Sequence, residues 1–308
     1  MPTRWTARDI GDLSGRVAMV TGANAGLGFE ISLSLAAHGA RVLLACRNTA
    51  KADAAADAIR DRFPAARQRV VSLDLASLAS IAAAAADVHA SEERLDLLIN
   101  NAGLMALDAM RTDDGFEMQF GVNHLGHFAL TADLLPLLLA TPASRIVSMS
   151  SMGHRPGRLR FDDPMADRRT YRRWPAYFQS KLANLLFTAE LNRRLRAAGS
   201  STLALAAHPG GSRTDLGIEG RGVTNRMLKL STLLTQSAAA GALPLLRAAT
   251  DPHAQGGEYY GPRWGMWGRA VTETPSRHAR DIDDGRRLWA LSEKLTSRRV
   301  LDADATAD

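Results

Sequence analysis

Six short, strongly apolar runs alternate along this chain with stretches of helical character, and that alternation leaves few folds open to it. The runs are 16–20 (RVAMV), 40–45 (ARVLLA), 69–73 (RVVSL), 95–99 (LDLLI), 145–149 (RIVSM) and 202–207 (TLALAA). Their length, aliphatic content and β-branching predict buried strands. Helices are predicted between them over 28–38, 49–62, 77–90, 115–139 and 177–198. Strand then helix, repeated, implies a parallel sheet, because parallel neighbours can be joined only by long crossovers. Right-handed crossovers place helices on both faces. The expected fold class is therefore α/β, a doubly wound, Rossmann-like, mostly parallel sheet in a single domain. A seventh strand is expected near 258–260.

With 308 residues and 46% apolar content the chain can bury one large core, and neither an internal repeat nor a low-complexity block divides it. We expect a core over about 14–265, an insertion at 154–176 and a substrate loop at 211–235. Cys46 is the only cysteine, which excludes an intrachain disulfide framework or a multi-thiolate metal site and suits a reducing cytoplasm. No signal-peptide run opens the sequence, and the longer apolar stretches are broken by Pro, Gly or charge, so no integral membrane segment is expected. The net charge of +6 is largely local: seven arginines stand against three aspartates between His154 and Arg173. That block is no basic helical stripe and has few stacking rings. It reads as a solvated insertion or an attractor of acidic substrate, not as a nucleic-acid surface.

Chemistry enters at 21–28, TGANAGLG, directly after the first strand and opening the first helix. Gly22, Gly26 and Gly28 permit a tight turn, let backbone amides approach a pyrophosphate, and bring helix and strand together. An acidic residue at the end of the second strand would bond an adenosine 2′-hydroxyl and repel a 2′-phosphate. Cys46, Arg47 and Asn48 stand there instead. Arg47 offers a planar fork for phosphate, which favours NADP(H) over NAD(H), unless it is simply a surface arginine. Asp74, past the third strand, has two readings: an acceptor for the adenine amino group, or a helix cap.

The glycine loop, the NNAG run at 100–103 and the YFQSK segment at 177–181 together resemble the short-chain dehydrogenase/reductase family over nearly the whole chain. LLACRN, NHLGHF at 123–128, AYFQSKLANLLF at 176–187 and HPGGSRTDL at 208–216 resemble its retinol-dehydrogenase-like branch. The resemblance implies an NADP(H)-dependent oxidoreductase interconverting a carbonyl and an alcohol on a small, hydrophobic substrate. Its chemistry follows from the residue types. A phenol, Tyr177, gives or takes the substrate proton if its pKa falls toward working pH. Lys181, one helical turn on, favours the phenolate and reaches the nicotinamide ribose. Ser151, by resemblance the active member of the Ser150–Ser151 pair, would hydrogen-bond the substrate oxygen. Asn123 corresponds to the asparagine that holds a relay water behind the lysine. The resemblance also assigns cofactor contacts to Asn24, Leu27, Asn48, Leu75, Asn101, Ala102, Gly103, Pro209, Gly210 and Thr214, and implies a homodimer or homotetramer built on the long helices.

Two departures stand out. Ala25 replaces a serine common in this loop of relatives, and the 26-residue step from Ser151 to Tyr177 exceeds the family's usual spacing while agreeing with the branch. His124 and His127 have helical spacing but no evident third ligand, so no metal is expected. Tyr259, Tyr260, Trp264 and Trp267 read as core packing or as a pocket wall, and the apolar residues between Met227 and Leu234 as a core helix or a lid. Two other functions fit the same motifs: a catalytically silent NADPH-binding sensor or scaffold, and a dehydratase or epimerase on the same fold. The retained tyrosine and lysine speak against the first, and the neighbouring motifs against the second.

Overall fold

The computed structural model describes residues 5–211 and 236–301. Its strands are β1 (Val17–Thr21), β2 (Arg41–Cys46), β3 (Arg67–Ser72), β4 (Leu97–Asn100), β5 (Arg145–Met149), β6 (Leu203–Ala207), β7 (Tyr259–Pro262) and β8 (Ala270–Glu273). They form one sheet in the order β3-β2-β1-β4-β5-β6-β7-β8. All neighbours from β3 to β7 are parallel, and only β8 runs antiparallel, to β7. The order reverses between β1 and β4. A doubly wound sheet opens a crevice at such a point, at the carboxyl ends of the strands, where Thr21 and Asn100 lie.

The helices are α1 (Gly26–Ala37), α2 (Thr49–Arg62), α3 (Leu78–Ser91), α4 (Gly126–Ala140), α5 (Arg173–Ala197), α6 (Ala238–Thr250) and α7 (Ile282–Thr296). Successive strand residues feed opposite cores, as the period of two requires. Ala18, Val20, Val42 and Leu44 pack with Ile31, Leu35 and Leu245 on one face. Met19, Leu43 and Ala45 pack with Ile81, Phe128, Leu134 and Leu191 on the other. This covering on both faces explains why β1, β2 and β4 read as unbroken apolar runs.

The structure revises the expected helix over 115–139. Arg111 and Glu117 pair in an antiparallel bridge, Met118–Phe120 forms one helical turn, and Gly121–Leu125 is a π-helical turn that leads into α4. A Cβ at Gly121 would stand 2.5 Å from Thr112 Cγ2, and one at Gly126 equally close to the Leu75 carbonyl oxygen. Helix α5 begins before Tyr177, at Arg173, since Pro175 is tolerated in a first turn that needs no amide donor there. Strand β8 and helices α6 and α7 are additions to the sequence reading.

The Arg-rich insertion is tied down at its middle, while Arg155, Arg158, Arg160, Arg168 and Arg172 are exposed to solvent. The carboxylate of Asp163, buried in its middle, accepts the amides of Asp167, Arg168 and Arg169. Arg111 pairs with Asp167, and Arg173 with Asp108 at 2.5 Å. Tyr259 and Tyr260 are core residues on β7, whereas Trp264 and Trp267 are exposed on the turn to β8. Thr214 and the apolar stretch 227–234 lie outside the described residues, as does almost all of the expected substrate loop.

Candidate active site

The loop after β1 is shaped by close approach. Gly22 and Gly26 have φ of 65° and 55°, in the left-handed region where a side chain strains the backbone. A Cβ at Gly28 would run into the Gly22 carbonyl oxygen and stand 2.7 Å from Asn101 Nδ2. Helix α1 then opens on Ala25, whose methyl group caps nothing. Its first-turn amides keep no side-chain acceptor from the N-cap, the condition under which a helix N-terminus receives an anion. The Cys46 thiol accepts the amides of Ala23 and Asn24, which fixes the loop against β2, and burial pushes this thiol above its ordinary range.

A cleft of about 330 Å³ runs along this loop. It brings together Gly22, Asn24, Gly26, Leu27, Gly28, Arg47, Asp74, Leu75, Asn101, Ala102 and Gly103. Arg47 is exposed at its rim, and no carboxylate follows β2. Asp74 does not cap α3: Ser77 does, while Asp74 Oδ1 accepts the Ala76 amide at 2.9 Å in a local turn and the residue lines the cleft. Asn48 is not among the residues lining this cleft. Its Oδ1 accepts the Lys51 amide at 2.9 Å and caps α2. A dinucleotide fits what is here: a glycine cradle that a Cβ would fill, an uncapped helix start, and a cationic fork at the far rim.

Beyond Gly103 lie the polar residues of α5. The Ser151 hydroxyl faces the Tyr177 phenol and favours its ionised form. Ser150 is buried and donates to the Lys181 carbonyl at 2.8 Å, so the two serines have separate roles, and only Ser151 meets the phenol. Lys181 Nζ donates to the Met149 carbonyl at 3.4 Å and lies 5.8 Å from the centre of the Tyr177 ring. A Cβ on Gly103 would come within 3.3 Å of that ammonium, which places the lysine at the edge of the cleft. Burial pushes Lys181 down to about 8, still protonated at neutral pH.

The expected lowering of the phenol is not what this arrangement gives. Burial raises Tyr177 above 10, and the Ser151 hydroxyl opposes it only in part. The Lys181 ammonium stands 5.8 Å from the centre of the phenol ring, and burial outweighs what favours the phenolate in the chain by itself.

The π-helical turn presents Asn123 to the same region. Its Nδ2 donates to the Leu104 carbonyl and to Ser180 Oγ, both at 2.9 Å, and its Oδ1 accepts the Leu104 amide at 2.7 Å. Asn123 thus clamps the segment that follows NNAG onto α5. Pro209 and Gly210 follow β6 apart from that cleft, where the Pro209 carbonyl accepts from Gln236 at 2.7 Å and Gly210, at φ 65°, leaves room for the Met266 carbonyl oxygen.

Supporting residues that the motif reading passed over are Ser180, Asn184 and Thr21. Asn184 Nδ2 donates to the Met149 carbonyl beside Lys181, and the Thr21 hydroxyl accepts the amides of Asn101 and Ala102. The i, i+3 spacing of Asn184 from Lys181 was the one available signal. His124 and His127 are used separately: His124 Nε2 meets Ser292 Oγ at 2.8 Å, and His127 Nε2 meets Thr21 Oγ1 at 2.9 Å.

Comparison with known proteins agrees with this geometry. The short chain dehydrogenase family model matches residues 16–221. The chain is 43% identical to retinol dehydrogenase 13 of Homo sapiens over 290 residues, 92% of this chain and 85% of that one. A crystal structure of an uncharacterized protein from Mycobacterium Paratuberculosis superimposes with a TM-score of 0.81 at 43% identity, covering 96% of this chain and 99% of the other. A short chain dehydrogenase from Escherichia coli CFT073 complexed with NADPH gives 0.64 at 26% identity, over 81% and 97% of the two chains. The glycine cradle, the sheet order and the Ser151–Tyr177–Lys181 cluster accord with these matches, and the chain belongs to the short-chain dehydrogenase family of oxidoreductases, in its retinol-dehydrogenase-like branch.

Proposed function

We propose that the protein is an NADP(H)-dependent reductase that interconverts a carbonyl and an alcohol on a small, hydrophobic substrate. The observation that carries this reading is Ser151 facing the Tyr177 phenol, with the buried Lys181 ammonium beside that ring and next to Gly103, which lines the glycine-rich cleft. The cofactor would supply or accept the hydride. The residues of the chain handle the proton. In reduction, Tyr177 donates its hydroxyl proton to the substrate oxygen as that oxygen gains charge, and Ser151 holds the oxygen by a hydrogen bond. Lys181 stabilises the phenolate left behind, and Asn123 keeps the Gly103–Leu104 backbone and α5 at a fixed separation. In oxidation the same groups run in reverse, starting from the phenolate.

NADP(H) is favoured over NAD(H) by Arg47 at the rim and by the absence of a carboxylate after β2. A relative of this fold has been solved with NADPH. Leu104, Met105 and Leu107 give one end of the cleft an apolar lining, in keeping with a hydrophobic substrate. Among the described residues no helix is long and apolar enough to cross a membrane.

Two variants test the reading with a panel of ketones, aldehydes and alcohols, followed by cofactor absorbance. Tyr177→Phe is expected to lower turnover by about 100-fold or more, the usual scale for a lost general acid, with cofactor affinity kept. Turnover at the wild-type level would remove Tyr177 from the chemistry. Arg47→Asp is expected to move the NADP/NAD preference by about 10-fold or more toward NAD, the scale of one charge-assisted phosphate contact. An unchanged ratio would take Arg47 out of the site.

A further inference from the structure

His127 lies in the NHLGHF segment, one helical turn after Asn123, and the reaction above does not use it. Its ring is buried and engaged on both sides. Nε2 lies 2.9 Å from Thr21 Oγ1, and Nδ1 lies 3.1 Å from the Asn123 carbonyl oxygen. A hydroxyl has one proton to donate and two lone pairs to accept with. The amides of Asn101 and Ala102, each at 2.9 Å, fill both lone pairs of Thr21 Oγ1. The hydroxyl must therefore act toward His127 as a donor, since its other acceptor, the Ile99 carbonyl, is 3.4 Å away. Nε2 then accepts, and the ring proton sits on Nδ1, where it donates to the Asn123 carbonyl. The donor and acceptor capacities select one neutral tautomer.

That tautomer joins two motifs that are far apart in sequence. Thr21 ends β1 and holds the backbone of Asn101 and Ala102, which line the dinucleotide cleft. Asn123 holds Leu104 and Ser180 beside Tyr177 and Lys181. The Asn123 carbonyl belongs to the π-helical turn, where the regular ladder is interrupted. We propose that His127, as the Nδ1–H tautomer, is a positioning residue that couples the cofactor loop to the asparagine beside the proton-transfer groups.

The proposal rests on the functional reading for its kinetic consequence but not for the tautomer, so two measurements separate the cases. Nitrogen NMR of the full chain labelled with 15N-histidine is expected to show His127 protonated at Nδ1. Thr21→Val, which removes the donor to Nε2 and leaves the Asn123 carbonyl facing Nδ1, is expected to keep the Nδ1–H form and to move the Nε2 resonance toward that of an unbonded nitrogen. An Nε2–H ring in the wild-type protein, or an Nε2 resonance indifferent to Thr21→Val, overturns the proposal whatever the enzyme catalyses.

The kinetic arm compares His127→Asn, whose amide retains a donor near the position of Nδ1, with His127→Leu, which retains none. His127→Leu is expected to lower kcat by about 10-fold or more, the scale of one lost hydrogen bond to a fixed group, with the Kd for NADPH changed several-fold less. His127→Asn is expected to recover most of that loss. Equal losses in both variants, or a loss confined to KM for the cofactor, overturn the positioning role. If Tyr177→Phe also turns over normally, the functional reading has failed, while the tautomer result still stands or falls by itself.

Discussion

Lys181 is a charge that the fold holds against its hydration. Burial pushes it from 10.5 to about 8, and no carboxylate among the described residues offsets that cost. Because the folded value lies below the unfolded one, the unfolded chain binds more protons between about 8 and 10.5, so this lysine's contribution makes stability rise with pH across that window. Below about 8 the full penalty is present. Lys181→Met is therefore expected to raise stability at pH 7 by on the order of 3 kcal/mol and to flatten the rise between pH 8 and 10.5 relative to the wild-type protein. Urea midpoints at pH 7, 9 and 10.5 measure this, and a variant less stable than the wild-type protein at pH 7 would contradict it. The same residue was among the most legible in the sequence, because Tyr177 and Lys181 share a helix and their spacing alone puts them on one face. Ser151 was separable from Ser150 only by resemblance, and the structure supplies the physical distinction: one hydroxyl faces the Lys181 backbone, the other the phenol. Thr21 and His127 could not be paired from sequence, since their contact depends on β1 and α4 meeting across 106 positions.

At the scale of elements, legibility followed burial. Strands β1, β2, β4 and β5 are covered on both faces, so each appears in the sequence as a continuous apolar run that no amphipathic pattern disguises. Strand β8 escaped because it is an edge strand with only Ala270 fully buried, and four residues of AVTE give no clear period. The segment 115–125 escaped for a different reason. Its composition continues that of α4, and what breaks the helix is tertiary: Thr112 and the Leu75 carbonyl press against the backbone where Gly121 and Gly126 stand. The interruption gives Asn123 its position, so the element hardest to read in the sequence is the one that aims a site residue. Asp74 and Asn48 make the same point on a smaller scale. Both are polar residues after a strand, and only the position of the next helix decides that Asn48 is a cap and Asp74 is not.

Across the whole molecule, helix α7 closes the face of α4 and α5 that lies away from the cleft. Trp289 is its anchor, 1% exposed. Its ring stacks on Phe187 at 5.9 Å, meets Phe128 edge-on at 5.3 Å, and lies under the Arg194 guanidinium at 4.4 Å. Ser292 on the same helix bonds His124, and Arg298 just beyond it pairs with Asp133 of α4 at 3.1 Å. The indole Nε1 of Trp289 has no hydrogen-bond partner among the described residues, so the residue contributes through its area and ring contacts rather than through a polar link. Trp289→Phe is accordingly expected to cost less than about 1.5 kcal/mol, provided the neighbouring rings repack. Trp289→Ala is expected to cost about 3–5 kcal/mol and to uncover Phe128 and Phe187, adding concentration-dependent association on size-exclusion chromatography. A urea midpoint for Trp289→Ala equal to that of Trp289→Phe would show that α7 does not hold this face closed.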